Sequence, residues 1–135
     1  MNLPTKLFLD GASRDAEAGR STKLVNPATE EPFAQVAAAD AADVNAAVES
    51  AHQAWESCWR DLSPGKRSDI LYNVSRVLRE NMEWIAQLEM LHIGKPISDA
   101  RDEAGLGARV FEFYAGAVTK FGGQTLDFAG HGFYF

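Results

Sequence analysis

Short apolar runs separated by turn residues fill the first forty positions, and this spacing predicts strands. Lys6-Leu7-Phe8-Leu9 reads as a strand, Asp10-Gly11 as the pair that suits a two-residue hairpin, and Ala12 to Asp15 as the return. Ala18-Gly19 breaks the chain again. Thr22 to Val25 is a second extended run, stopped by Asn26-Pro27, because proline lacks an N–H and biases the residue before it toward extended geometry. Phe33 to Ala37 resumes as a strand. A small antiparallel layer of two hairpins is expected.

At Asp40 the period lengthens from two to three or four. Asp40 or Asp43 can cap a helix start, and Val44, Ala47, Val48, Ala51 and Trp55 share one face of an amphipathic helix of about four turns. Ser63-Pro64 is a second start signal, a hydroxyl cap followed by proline at the first helical position. Ile70, Leu71, Val74, Val77 and Leu78 mark its apolar stripe, and Ile85, Leu88 and Leu91 carry helical character to Gly94. Lys95-Pro96 interrupts, and Ser98 or Asp99 can cap the next helix. From Ala100 to Phe121 apolar residues nearly surround the axis. Leu106 and Val110 lie on one side, Phe111, Ala115 and Val118 on the other, with Phe113 and Ala117 between. Such a helix is expected between layers, with Gly122-Gly123 ending it.

Gln124 to Phe128 and Gly132 to Phe135 read as extended, and Phe128, Phe133 and Phe135 crowd the last eight residues. An apolar terminal strand needs a partner sheet, and no later strand follows Phe133-Tyr134-Phe135. Either that strand is exchanged or docked, or the chain is a cut piece of a longer protein; the second is the expectation.

Composition narrows the classes. The 135 residues make one domain's worth of chain, and 46% hydrophobic with 24% charged residues are globular proportions. A net charge of −6 disfavours nucleic acid as a partner. Nothing approaches the roughly 20-residue apolar run of a membrane helix, so no membrane association is expected. Met-Asn-Leu-Pro-Thr-Lys holds no apolar stretch for a signal peptide. Cys58 is alone, so no internal disulfide forms, which fits a reducing cytoplasm.

Local motifs carry little chemistry. Gly105-Leu106-Gly107 begins a dinucleotide-like pattern, but Val110 stands where a third glycine belongs and no strand precedes it. Two small residues allowing close helix packing is the better reading. Cys58 has Arg60 nearby but no base at a telling spacing, and reads as a structural thiol. His52, His92 and His131 are too far apart to suggest a metal site on one helix. Asn73-Val74-Ser75 matches a glycosylation sequon inside a predicted helix and is discounted. Gly94 followed by Lys95-Pro96 is a helix stop, with Lys95 complementing the dipole.

In series, the blocks are informative. Asn26-Pro27-Ala28-Thr29-Glu30-Glu31 precedes the run from Val36 to Val44, then Ala47-Val48, Ala54-Trp55, Leu62-Ser63-Pro64 with Lys66-Arg67, and Ile70-Leu71. Leu88-Glu89-Met90-Leu91 leads into Gly94-Lys95-Pro96, followed by Phe113-Tyr114-Ala115-Gly116 and Gly123-Gln124-Thr125. From about Lys6 to Phe135 this order resembles the N-terminal part of the NAD(P)-dependent aldehyde dehydrogenase superfamily.

The resemblance implies an α/β protein, α+β within this segment: N-terminal β-hairpins, then three or four helices, opening a Rossmann-type cofactor domain. Residues 5–123 would be the N-terminal part of that domain, and 124–135 the truncated start of the oligomerisation-arm strands. The family oxidises aldehydes to carboxylic acids with NAD or NADP. Its catalytic cysteine, general-base glutamate, oxyanion-holding asparagine and cofactor motif lie further along than this sequence runs, and Cys58 matches none of its cysteine motif. No catalytic, cofactor-binding or metal residue is therefore assigned, and the chain alone is expected to bind no cofactor and to be inactive. Leu106 and Val110 are candidate walls of the aldehyde tunnel, with plain packing as the alternative. An aldehyde would be a partner only in a full-length context, beside a homo-oligomer or a full-length relative. A non-catalytic module pairing through its C-terminal aromatic strand is the second reading.

Two departures from the family pattern stand out. Glu30 replaces a common glycine, and a positive φ there would cost on the order of 1 kcal/mol. His92 replaces an aspartate that in some members helps hold a monovalent cation together with backbone carbonyls at the places of Leu24 and Val25.

Overall fold

The computed structural model describes residues 3–123 and the backbone of two short strands, 126–127 and 133–134. The first hairpin joins β1 (Leu7–Leu9) to β2 (Ala12–Arg14), with Leu7 opposite Arg14 and Leu9 opposite Ala12. Asp10 and Gly11 both have positive φ, 53° and 73°, as a turn matching the strands' twist requires. β3 (Ser21–Val25) and β4 (Pro32–Ala37) form the second hairpin. Its loop closes on Asn26. The Asn26 side chain accepts from the Ala28 N–H at 2.9 Å, and its carbonyl accepts from the Glu30 N–H at 2.8 Å. Glu30 sits at φ 59°, so the glycine-favouring geometry is present beneath a glutamate.

The two expected antiparallel hairpins form, each as its own two-stranded sheet. One backbone bond, from the Ala37 N–H to the Thr5 carbonyl at 2.8 Å, ties them together.

Both aspartates serve the start of α1 (Ala41–Ala54). Asp40 is the cap, accepting from the Ala42 and Asp43 N–H groups, and Asp43 reaches back to the Asp40 N–H. Asp43 is buried and also accepts from the Glu17 N–H at 3.1 Å, which fastens the loop after β2 to the helix. A π-helical turn, Trp55–Trp59, extends α1. Ser63 caps α2 (Pro64–Glu80), with Pro64 as its first residue. Asn81 then breaks the helical run before α3 (Met82–Ile93), and Gly94 ends α3 in the left-handed conformation at φ 77°. α4 (Ile97–Ala117) starts directly after Pro96, so Ser98 and Asp99 lie inside its first turn instead of capping it. A 3-10 turn, Val118–Lys120, ends the helical stretch before Gly122-Gly123 is reached.

α2 and α4 pack antiparallel on small residues. Ser75 and Ser68, seven apart on α2, donate to the carbonyls of Ala108 and Ala115, seven apart on α4, each at 2.8 Å. Among the described residues the buried apolar side chains are all alanines: Ala16, Ala86, Ala100, Ala108 and Ala115. The predicted apolar stripes are only partly covered, with Leu71, Val74 and Leu78 on α2 half-buried. On α1, Val44 and Val48 are open to solvent, as are Ile70 and Val77 on α2. The helix expected to be enclosed on all sides exposes Leu106, Val110, Phe111, Phe113 and Tyr114. The chain's accessible surface, 10027 Å², exceeds the roughly 7,000 Å² typical of a folded monomer of this mass.

β5 (Leu126–Asp127) and β6 (Phe133–Tyr134) pair antiparallel, so the late strand finds an earlier partner, not a later one. The aromatic side chains expected to crowd this end lie outside the described residues.

Candidate functional site

Cys58 lies exposed in the π-helical turn, where its Sγ is 3.2 Å from the Ala54 carbonyl. The nearby Arg60 is committed elsewhere, to Glu56 at 2.7 Å and Asp61 at 3.4 Å. Arg67 lies over the Trp59 ring at 5.8 Å, and its Nη2 donates to the Trp59 and Arg60 carbonyls, so it clamps this turn onto α2. Among the described residues no side chain hydrogen-bonds the thiol.

Gly105 and Gly107 behave differently from each other. A β-carbon on Gly105 would meet Met82 Sδ at 3.6 Å, whereas Gly107 faces open space. Only Gly105 supports the close-packing reading; Ala108 and Ala115 do most of that work. Asn73 of the sequon accepts from Arg76 at 2.7 Å on the exposed side of α2.

Lys95 bridges two helices, beyond complementing the end of one. Its Nζ bonds Glu103 on α4 and stands 3.9 Å from Glu89 on α3. The Glu103 carboxylate, chiefly, pushes the Lys95 amine above its ordinary value. Along the same seam, Arg101 grips Glu83 with two bonds of 2.9 Å. That grip, helped by the Gln87 amide, holds the Glu83 carboxyl down at about 2. Sequence spacing gives no hint of either bridge, because the partners lie 8 and 18 residues apart on different elements.

An open groove of about 590 Å³ lies between the hairpins, where Lys6 pairs with Asp15 at 3.1 Å and Arg20 reaches toward Asp40. Its charged groups are paired, and no nucleophile stands beside a base. A smaller cleft of about 110 Å³ separates the second hairpin from α3 and includes His92. His52 stands apart on α1, and His131 lies outside the described residues. Among the described residues no three histidine, cysteine or acidic side chains are grouped to hold a metal ion, and no helix is long and apolar enough to cross a membrane.

Apart from these clefts, α4 and α1 carry exposed apolar side chains. Leu106 and Val110, one turn apart on α4, are 51% and 44% exposed, and Phe113 beside them is 69% exposed. On α1, Val44, Val48 and Trp55 form a second open face. Such surfaces are suited to packing, not to bond making.

Comparison with known proteins matches this arrangement. Residues 14–135 fit the model of the aldehyde dehydrogenase family. An aminoacetaldehyde dehydrogenase of Pseudomonas aeruginosa is 43% identical over 102 residues, 75% of this chain and 21% of its own. An aldehyde dehydrogenase of Aspergillus niger is 32% identical over 124 residues, 92% of this chain and 25% of its own. Among solved structures, the indole-3-acetaldehyde dehydrogenase of P. syringae in complex with NAD+ superposes with a TM-score of 0.91 at 32% identity, covering 96% of this chain and 26% of that one. The chain spans about a quarter of the length of the curated relatives it matches and corresponds to the N-terminal part of such structures. These similarities lend no support to a stand-alone interaction module.

Proposed function

The chain belongs to the aldehyde dehydrogenase family, and from that premise we propose that it is the opening segment of an enzyme that oxidises an aldehyde to a carboxylic acid. The observation that carries this is the uncovered apolar face on α4 and its counterpart on α1, in a chain whose own described core is alanine. A helix face this apolar is stable only against another layer. The layer is the cofactor-binding sheet, supplied by the three quarters of a family member that this chain does not span. Residues 5–123 open that domain, and 124–135 begin the oligomerisation-arm strands, which join copies of the enzyme.

NAD(P)+ supplies the hydride acceptor in the complete enzyme. The nucleophilic thiolate, the general base and the cofactor cradle come from the remaining polypeptide, so the residues here act by support. On α4 the aromatic residues Phe113 and Tyr114 meet that layer, whereas Leu106 and Val110, one turn apart, serve as wall for the aldehyde's path. The lone Cys58 fits a reducing cytoplasm.

A chimera tests this directly: this chain replaces the matching segment of the Pseudomonas aeruginosa relative. Aldehyde-dependent formation of NADH by the chimera, with none from the isolated chain, is the expected pair of results. Turnover by the isolated chain, or a chimera that folds and binds NAD+ yet leaves aldehyde untouched, contradicts the proposal.

A further inference from the structure

The monovalent cation that some family members hold at the place of His92 requires oxygen ligands and compensating charge. The residues present do not fit it. Leu24 and Val25, whose carbonyls would contribute, flank a register shift in β3 opposite Ala34 and Pro32. Pro32 has no N–H to donate across the ladder, so backbone oxygen remains available as half of a site. The other half is missing. His92 offers ring nitrogens instead of a carboxylate, whereas hard cations take carboxylate, carbonyl and water oxygen.

The surroundings oppose an ion as well. The His92 ring meets Phe33 edge-on, with ring centroids 6.5 Å apart and planes at 63°. Leu24 and His92 line one small cleft, whose remaining walls are Leu3, Pro4, Ala34, Val36 and Leu88. His92 is itself exposed and Val25 is 45% exposed, so an ion there would have to give up water oxygen with no carboxylate from His92 to replace it.

We infer that the joint between the Leu24–Val25 shift and the last turn of α3 presents the His92 ring, edge-on to Phe33, where a carboxylate would be needed, and takes no alkali cation. The inference rests on family membership and this geometry, not on the proposed activity, so an inactive chimera would leave it standing.

The test is nuclear magnetic resonance on the folded chimera, labelled at Leu24, Val25 and His92, with choline exchanged for potassium or sodium at constant ionic strength. The Leu24 and Val25 carbonyl resonances and the His92 ring resonances are expected to show no saturable shift with either ion. The His92 ring protons are expected to carry a ring-current displacement that Phe33→Leu removes. In His92→Asp, potassium or sodium is expected to shift the two carbonyl resonances saturably. A saturable shift in the unaltered chimera overturns the inference, and that titration needs no His92 or Phe33 variant to fold. His92 protons indifferent to Phe33→Leu overturn the ring contact. A His92→Asp chain as silent as the parent overturns the assignment of the exclusion to His92.

Discussion

Gly94 and Pro27 touch across the joint between the second hairpin and the α3–α4 turn: a β-carbon built on Gly94 would stand 2.8 Å from Pro27 Cγ. The Asn26-Pro27 and Gly94-Lys95-Pro96 blocks, 68 positions apart by residue number (94 minus 26), are thus two sides of one contact. Gly94 also has φ 77°, a conformation that costs a side-chain-bearing residue roughly 1–2 kcal/mol.

Gly94→Ala therefore meets both a backbone penalty and a clash. We expect a local loss of about 2 kcal/mol, or about thirtyfold faster native-state hydrogen exchange at the end of α3, read in the chimera. Adding Pro27→Ala should recover the clash but not the backbone penalty. Full recovery in the double variant would show that φ contributes nothing.

Glu30 presents the reverse case. At φ 59° it holds a left-handed conformation without glycine's freedom, so Glu30→Gly should stabilise the β3–β4 loop by about 1 kcal/mol. Exchange of the Asn26 amide, which donates to the Glu31 carbonyl at 3.0 Å, reports it. Glu30→Ala should give no such gain.

Ser75 tests the helix seam. It is buried, and its hydroxyl donates to the Ala108 carbonyl. Ser75→Ala should cost about 1 kcal/mol, the net worth of one hydrogen bond. Ala108→Leu should cost about 1–3 kcal/mol, because the added side chain must force α2 and α4 apart. Exchange protection along both helices distinguishes the two, falling slightly in the first and broadly in the second.

The Glu83–Arg101 pair gives a pH signature. The folded-state value of Glu83, about 2, lies below its ordinary 4.5. Its contribution is therefore complete above about 4.5 and disappears as pH falls through about 2. A carboxyl-carbon titration should place the Glu83 midpoint near 2, returning toward 4.5 in Arg101→Gln. Both side chains are about half exposed, so added salt should weaken the effect.

Elements set by local chemistry are legible in the residues. Asp10-Gly11, Ser63-Pro64 and Gly94 each impose a backbone geometry on their own, and each acts where expected. Packing is less legible. An all-round apolar helix signals neighbours without saying which polypeptide supplies them, so the pattern predicts an enclosed α4 while its aromatic residues stand open. Ser68 and Ser75 give no signal in the sequence, because a hydroxyl becomes a core group only when another helix approaches closely enough to accept its proton. That approach is set by Ala115 and Ala108, 47 and 33 residues further on. The α4 start is displaced because Pro96 fixes its own φ and begins the helix without a side-chain cap. For the candidate site, the shared face of Leu106 and Val110 follows from their spacing, whereas its exposure follows from how α4 packs against α2 and α3.

Scanning calorimetry of the isolated chain tests most directly whether α1 and α4 await a sheet from elsewhere. A self-sufficient domain of 135 residues would absorb about 90 kcal/mol in one sharp transition near 60 °C. A broad transition with far less heat, sharpening when the missing three quarters of a relative are joined to the chain, is the result expected here. A single cooperative peak of full size from the chain alone would contradict it.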